Sequence, residues 1–354
     1  MDLDNFEQFS KIDRQNMLGE IEMLPDQLEK AWELGMEFPL PEWTDIRQVL
    51  VAGMGGSAIG ADLLAAYTAA NCAIPVIVHR DYDLPAWAAG SGTLVILSSH
   101  SGNTEETLSA FQAADERNCK ILAVSTGGKI AQVARDGGLP LWQFEHTGQP
   151  RAAVGYSFTL LLAAFFRLRL IPDPSSELLE AVAAMRDQQK TIAPDVPIVD
   201  NPAKRYAGQL IDRWSVVLGS GILAPVARRW KGQISEVAKA WAQFEFLPEA
   251  NHNTLAGIEN PEEIFPRTMV LFLNSSYEHP RNQLRCELTR KIFMLEGLGT
   301  DVIEAQGNTP LSQMWTCLHF GDYLAFYLAM SYEVDPTPVN AIEGFKEDMK
   351  SAAG

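Results

Sequence analysis

The chain has 354 residues, 47% of them hydrophobic and 21% charged, a balance that fits a globular protein with room for two cores. A formal net charge of −17 opposes nucleic acid as a partner, because such binding rests on clustered Lys and Arg, yet amides and hydroxyls could still hold one small phosphorylated ligand. No apolar run reaches the roughly eighteen residues of a membrane span, the start Met1-Asp2-Leu3-Asp4-Asn5 lacks a signal-peptide pattern, and Cys72, Cys119, Cys286 and Cys317 form no C-x-x-C pair. A cytoplasmic protein without membrane contact, zinc site or disulfide framework is expected.

In chain order, Phe6 to Trp32 reads as one helix, with Met17, Ile21, Leu24 and Leu28 at three- and four-residue spacing. The first strand, Val49 to Ala52, runs directly into Gly53-Met54-Gly55-Gly56-Ser57 and a helix through Tyr67. Missing Cβ atoms in such a turn let main-chain N–H groups approach an anion. The glycine spacing is not G-x-G-x-x-G, and after the next strand, Val76 to Val78, Asp81 is the only candidate for a ribose-binding acid, which disfavours a dinucleotide.

The third strand, Leu94 to Leu97, leads into Ser98-Ser99-His100-Ser101-Gly102-Asn103-Thr104 and a helix over Glu105 to Glu116. Hydroxyls at a helix start are ordinarily N-caps. Three of them with a glycine, after a buried strand, point instead to a phosphate held at a helix N-terminus. Strands at Ile121 to Val124 and Leu141-Trp142 flank a helix over Lys129 to Arg135, and the alternation indicates a parallel, doubly wound sheet. An apolar helix, Phe158 to Leu168, and an amphipathic one, Ser175 to Ile192, precede a proline-bearing linker, Ala193 to Pro202. Domains over 1–192 and 193–354 are expected.

The second half repeats this outline: helix Ala203 to Ile211, strand Ser215 to Leu218, the turn Gly219-Ser220-Gly221 and a helix from Leu223 to Phe244. Strand Met269 to Leu273 then meets Asn274-Ser275-Ser276-Tyr277, followed by helix His279 to Leu295 and strand Asp301 to Ile303. This is a weak internal duplication. Asn274-Ser275-Ser276 lacks the following Gly-Asn-Thr, so one phosphate site per chain is expected, in the first copy.

The pairing of Gly53-Met54-Gly55-Gly56-Ser57 with Ser99-His100-Ser101-Gly102-Asn103-Thr104-Glu105-Glu106-Thr107 resembles the phosphosugar site of sugar isomerase (SIS) domains. Further segments narrow the likeness: Pro150-Arg151-Ala152-Ala153 with Gly155-Tyr156-Ser157; Glu236 before Pro248-Glu249-Ala250-Asn251-His252-Asn253; Asp322-Tyr323; and Asp335-Pro336-Thr337-Pro338-Val339 with Lys346. Together they resemble, over nearly the whole chain, the bifunctional phosphoglucose/phosphomannose isomerase family. The resemblance implies an α/β fold of two doubly wound parallel-sheet sugar isomerase domains, αβα sandwiches with terminal helices. It also implies sugar 6-phosphate substrates, no cofactor, no metal, and a homodimer whose active site is shared between subunits. The phosphate would lie on Gly55, Gly56, Ser57, Ser99, Ser101 and Thr104.

Aldose–ketose isomerisation needs an acid/base group for ring opening, a carboxylate to move a proton between C2 and C1, and a cation beside the enediolate. Glu236 has apolar helix neighbours Ile234, Val237 and Ala238, and the partial burial they suggest would raise its pKa toward what a base needs. By position alone it reads rather as a surface glutamate paired with Lys239 or another basic neighbour, the commoner fate of Glu in a helix. His252, in a polar loop between Asn251 and Asn253 that could cap turns, is by position a solvated histidine. The resemblance makes Glu236 the base and assigns ring opening to His252, supplied across the dimer interface. Arg151 is the candidate cation, since a guanidinium stays charged and offers a planar set of donors. Lys346, on a C-terminal helix with Ile342 and Phe345 on its apolar side, resembles the family lysine that assists ring opening. Thr337 resembles the threonine that leaves room for the intermediate to rotate about C2–C3, so that both C2 epimers form. Two alternatives are a non-catalytic phosphosugar sensor, which would need neither Glu236 nor His252, and an amino-sugar phosphate isomerase.

Overall fold

The computed structural model describes residues 2–352. Helices α1 (Phe9–Ile12), α2 (Met17–Glu22) and α3 (Leu24–Glu37) lead into β1 (Gln48–Ala52), α4 (Gly55–Thr68), β2 (Val76–His79), β3 (Thr93–Ser98), α5 (Glu105–Glu116), β4 (Lys120–Ser125), α6 (Gly128–Asp136) and β5 (Leu141–Gln143). Helices α7 (Val154–Arg167), α8 (Ser175–Ile192) and α9 (Pro202–Leu210) follow. The second half runs β6 (Trp214–Gly219), α10 (Ala224–Glu236), β7 (Ala242–Phe246), β8 (Thr268–Asn274), α11 (Pro280–Leu295), β9 (Gly299–Glu304), α12 (Pro310–Ser331) and α13 (Asn340–Ala352).

The strands form two parallel sheets, ordered β2-β1-β3-β4-β5 and β7-β6-β8-β9. In each, the chain winds outward from its first strand and then returns to that strand's other side. The crevice outside the carboxyl ends of β1 and β3, and of β6 and β8, is therefore a topological switch point, where such sheets bind ligands. Every residue of β3 is buried, as a strand covered by helices on both faces must be. One hydrophobic cluster runs from the first sheet's helices into α12, where Phe158 meets Trp315 edge-on at 5.2 Å.

Four departures from the expected elements have local causes. The leading helix is interrupted: Asp13 accepts hydrogen bonds from the Met17 and Leu18 amides, and Asn16 caps α2 from a left-handed conformation. The helix expected to reach Phe244 stops at Glu236, and Ala242–Phe246 is the edge strand β7, whose alternating Gln243, Phe244, Glu245 and Phe246 leave it half-buried. Residues 311–330 of α12 are all buried, so this helix has no amphipathic face to read from sequence. Helix α13 buries none of its residues, leaving Ile342, Phe345 and Met349 exposed.

Candidate active site

The two turns singled out in the sequence meet at the β1/β3 crevice. Gly55 has φ +52°, a conformation that favours glycine, and with Gly56 and Ser57 it opens α4. Ser57 Oγ accepts a hydrogen bond of 3.2 Å from the His100 amide, which joins the glycine turn to the serine turn. Ser99 Oγ lies 3.0 Å from Thr104 Oγ1 and accepts from the Gly102 amide at 3.1 Å. Ser101 Oγ accepts from the Asn103 amide at 3.2 Å and is exposed. Met54 and Thr104 occupy the N-cap positions of α4 and α5, and neither side chain caps its helix. The hydroxyl of Thr104 is thus not committed as an N-cap, and two helix N-termini converge on one crevice with first-turn amides uncapped by side chains.

Beneath the serine turn runs a chain of side chains that carries no sequence signature. His100 and His146 share a hydrogen bond of 2.9 Å, and His146 bonds Glu20 at 3.0 Å. Burial, and secondarily His146, push the His100 pKa down to about 4, so the ring beside the Ser99 turn is neutral at physiological pH. No spacing rule links positions 20, 100 and 146.

Arg151 reaches the crevice because Gly56 has no side chain: a Cβ there would lie 2.5 Å from the Pro150 carbonyl oxygen and 3.1 Å from Arg151 Cα. The guanidinium is buried, with Nη2 donating to the Pro336 carbonyl at 2.9 Å and to the Thr337 carbonyl, and Nη1 to Gln149 Oε1 at 3.4 Å. Burial lowers its pKa from the ordinary guanidinium value while nearby Glu236 pulls it back up. Arg151 Nη1 stands 3.8 Å from the Glu236 carboxylate, whose side chain is 34% exposed. Glu236 therefore faces a guanidinium, whereas the Lys239 ammonium binds the main-chain carbonyl of Glu236 rather than its carboxylate.

Behind Glu236, Arg229 forms a two-pronged ion pair with Asp322 of α12, Nε at 3.1 Å and Nη2 at 2.7 Å, with both side chains 3% exposed. This pair ties α10, the helix that ends in Glu236, to α12. Thr337 is buried, its amide donates to Asp335 Oδ1 at 3.0 Å, and its hydroxyl has no hydrogen-bond partner.

The structure does not bring every candidate together within one chain. His252 is exposed in a 3-10 turn over Glu249–His252. Asn251 ties that turn to α11 through Thr289 at 2.7 Å and Arg285 at 3.1 Å, while Asn253 caps the next turn at the Thr254 amide. Lys346 is exposed on α13, and among the described residues the ion-pair partner of the Glu236 carboxylate is Arg151, not Lys346 or His252. No group of three or more His, Cys, Asp or Glu among the described residues is placed to hold a metal.

The second sheet contains a counterpart of the glycine turn. Met54 (φ −128°, ψ 159°) and left-handed Gly55 are matched by Ser220 (φ −135°, ψ 164°) and Gly221, φ +47°. At the β6/β8 crevice a carboxylate of the chain itself fills the position: Ser220 Oγ donates to Glu278 at 2.6 Å, and Gly221 has no room for a Cβ against it. Glu278 is buried, and desolvation raises its pKa above the usual carboxylate value.

Residues 199–349 match the family model described as bacterial phospho-glucose isomerase C-terminal SIS domain. A glucose-6-phosphate isomerase like protein from Thermus thermophilus shares the fold, with TM-score 0.65 at 20% identity over 96% of this chain and 98% of its own. A bifunctional phosphoglucose/phosphomannose isomerase of Aquifex aeolicus is 31% identical over 88% of this chain and 95% of its own. One from Caldicellulosiruptor bescii is 40% identical over 92% of this chain and 96% of its own. With that identity over more than nine-tenths of its length, the chain belongs to the bifunctional phosphoglucose/phosphomannose isomerase family and is an enzyme of that kind.

Proposed function

We propose that the enzyme interconverts fructose 6-phosphate with glucose 6-phosphate and mannose 6-phosphate through a cis-enediolate, without a metal or cofactor. The observation that carries this is the approach of Arg151 to Glu236, 3.8 Å apart, beside the crevice where the Gly55 and Ser99 turns meet. The substrate phosphate would sit on the α4 and α5 N-termini, bound by the amides of Gly55 and Gly56 and by the hydroxyls of Ser57, Ser99, Ser101 and Thr104. The dipoles of both helices favour a dianion there, and the neutral His100 ring adds no charge of its own.

With the phosphate anchored, Glu236 takes the C2 proton of the aldose and returns it to C1 while the hydroxyl proton passes from O2 to O1, giving the ketose. In the reverse direction it takes a C1 proton of the ketose. Negative charge that develops on O1 and O2 is met by Arg151, whose burial strengthens the attraction over its value in water. Ring opening, with a proton delivered to the ring oxygen and another removed from the anomeric hydroxyl, falls to His252 of a second subunit in a homodimer, assisted by Lys346. The exposure of both side chains, and the anchoring of the His252 turn to α11, support presentation to another chain. Thr337, buried and small, leaves space for rotation about C2–C3, so that the enediolate takes a proton on either face and yields either epimer. The reading places SIS domains over 1–192 and 193–354 of a cytoplasmic protein.

The test is conversion of fructose 6-phosphate to each aldose, measured side by side for wild type and Glu236→Gln with chelator present. Both products from wild type, lost in the variant, support the reading. Glucose 6-phosphate alone removes the role of Thr337. Phosphosugar binding without turnover would favour a sensor, and turnover only with an amino donor the amino-sugar alternative.

A further inference from the structure

Lys239 stands where a glycine would be expected. Its φ of +56° is left-handed, and the Ala240 N–H reaches back 3.2 Å to the Ile234 carbonyl, six positions earlier and one farther than the usual closing bond of a helix that ends on a left-handed residue. Most helices that end this way use glycine, because a Cβ strains that conformation. A side chain kept there needs a compensating contact.

The contacts of Lys239 supply one. Nζ donates to the Glu236 carbonyl and, at 3.3 Å, to the Pro336 carbonyl. The same Pro336 oxygen accepts from Arg151 Nη2 at 2.9 Å. One carbonyl thus receives both cations, and the segment carrying Thr337 is fastened at once to the end of the Glu236 helix and to Arg151. Glu236 and Arg151 come from different sheets' helices and turns, and Lys239 is the side chain that closes the ring between them.

We propose that Lys239 is a positioning residue of the isomerase, holding Glu236, Arg151 and the Pro336-Thr337 segment in register through its ammonium. The proposal rests on the isomerase reading above. The groups facing the ammonium are Arg151, Glu236 and Asp335, and the cavity of about 680 Å³ along its stem adds Asp212 and Arg213. The stem is exposed, while desolvation of the ammonium, then Arg151, push its pKa down to about 8, with Asp335 and Glu236 opposing. Above that pH the ammonium loses a donor proton and its charge, so the clamp slackens and the positive field beside the enediolate weakens.

The experiment compares kcat, KM and their pH dependence for fructose 6-phosphate in wild type, Lys239→Gly and Lys239→Arg. Glycine is the natural occupant of a left-handed helix end, so Lys239→Gly removes the ammonium while relieving backbone strain, and its melting temperature reports folding separately. We expect kcat to fall about 10- to 100-fold in Lys239→Gly with KM nearly unchanged, in line with the cost of small misplacements of catalytic groups. Wild-type kcat should decline above about pH 8, and Lys239→Arg should retain most activity with that decline displaced upward, because its guanidinium stays charged. A folded Lys239→Gly with wild-type kcat, or an alkaline limb identical in all three proteins, overturns the proposal while wild-type turnover leaves the isomerase reading intact. Absence of turnover in wild type overturns both.

Discussion

Replacing Gly56 with alanine tests whether the close passage of the Pro150-Arg151 turn over α4 places the enediolate cation. The added Cβ would stand 2.5 Å from the Pro150 carbonyl oxygen and 3.0 Å from its carbonyl carbon, where ordinary contacts begin at 3.4 Å. Both obstacles are main-chain atoms, so no rotamer change relieves them, and the turn must retreat by about 1 Å, a displacement that costs on the order of 100-fold when it moves a catalytic group. The overpacking itself costs about 1–3 kcal/mol, which lowers the melting temperature without unfolding the protein. Arg151 would be carried away from Glu236, so the loss should appear in kcat more than in KM. Gly232→Ala is the matched control: it lies on α10, the helix of Glu236, and its Cβ meets nothing within 4 Å. That change should leave kcat alone and raise stability by about 0.5–1 kcal/mol, as alanine replaces glycine inside a helix. Steady-state conversion of fructose 6-phosphate and calorimetric melting decide the matter. Gly56→Ala with wild-type kcat, or Gly232→Ala impaired as badly, would refute the reasoning.

The Arg229–Asp322 pair should be costly to break and cheap to replace. Asp322→Leu alone strands a buried guanidinium and should cost about 3–5 kcal/mol, whereas Arg229→Met with Asp322→Leu should recover most of that loss in thermal or urea unfolding; equal destabilisation by the single and the double variant would contradict it. Glu278→Gln should flatten the pH dependence of stability. Because the folded-state pKa of Glu278 is raised, its favourable contribution is complete below the unfolded value and is lost as pH rises through the folded one, so the melting-temperature difference should shift toward the glutamine variant between acid and neutral pH. A difference independent of pH would show that Glu278 titrates as a free carboxylate.

The core strands were legible because a parallel strand buried on both faces must be an unbroken apolar run, as at Leu94 to Leu97. The glycine and serine turns were legible as turns, since such residues between a strand and a helix mark a sharp change of direction, but their meeting at the β1/β3 crevice is a tertiary fact. Sequence failed where tertiary contact decided the outcome. Nothing local marks the end of α10, because the left-handed residue that closes it is Lys239 and not glycine, so β7 was absorbed into the helix. Helix α12 lost its periodicity by being buried all round. The environment of Arg151 could not be read from its neighbours at all: its burial follows from Gly56 and its hydrogen bonds from carbonyls nearly two hundred positions away. Lys239, read as a surface partner for the Glu236 carboxylate, instead serves the main chain.

The two sheets show why duplication of a ligand-binding fold need not duplicate the site. Both switch points keep the same backbone device, an extended residue followed by a left-handed glycine at the mouth of a helix. Such a mouth carries unpaired N–H groups and a positive dipole end whether or not a substrate is present, and a buried donor left without an anion is unfavourable. The first sheet leaves its mouth beside the Ser99 turn, with first-turn amides uncapped by side chains. The second sheet fills its own with Glu278, held by Ser220 and pressed against Gly221 where a side chain on the glycine would collide. A side chain in that place occupies the mouth and takes the room a phosphate would need, at a desolvation cost that raises its own pKa. What the second half then contributes is the end of α10, where Glu236 and Lys239 project back toward the first sheet's turn. On the proposed function the duplication divides the labour: the copy with the open mouth would hold the phosphate, and the other, with its own crevice closed, would present Glu236 across to it.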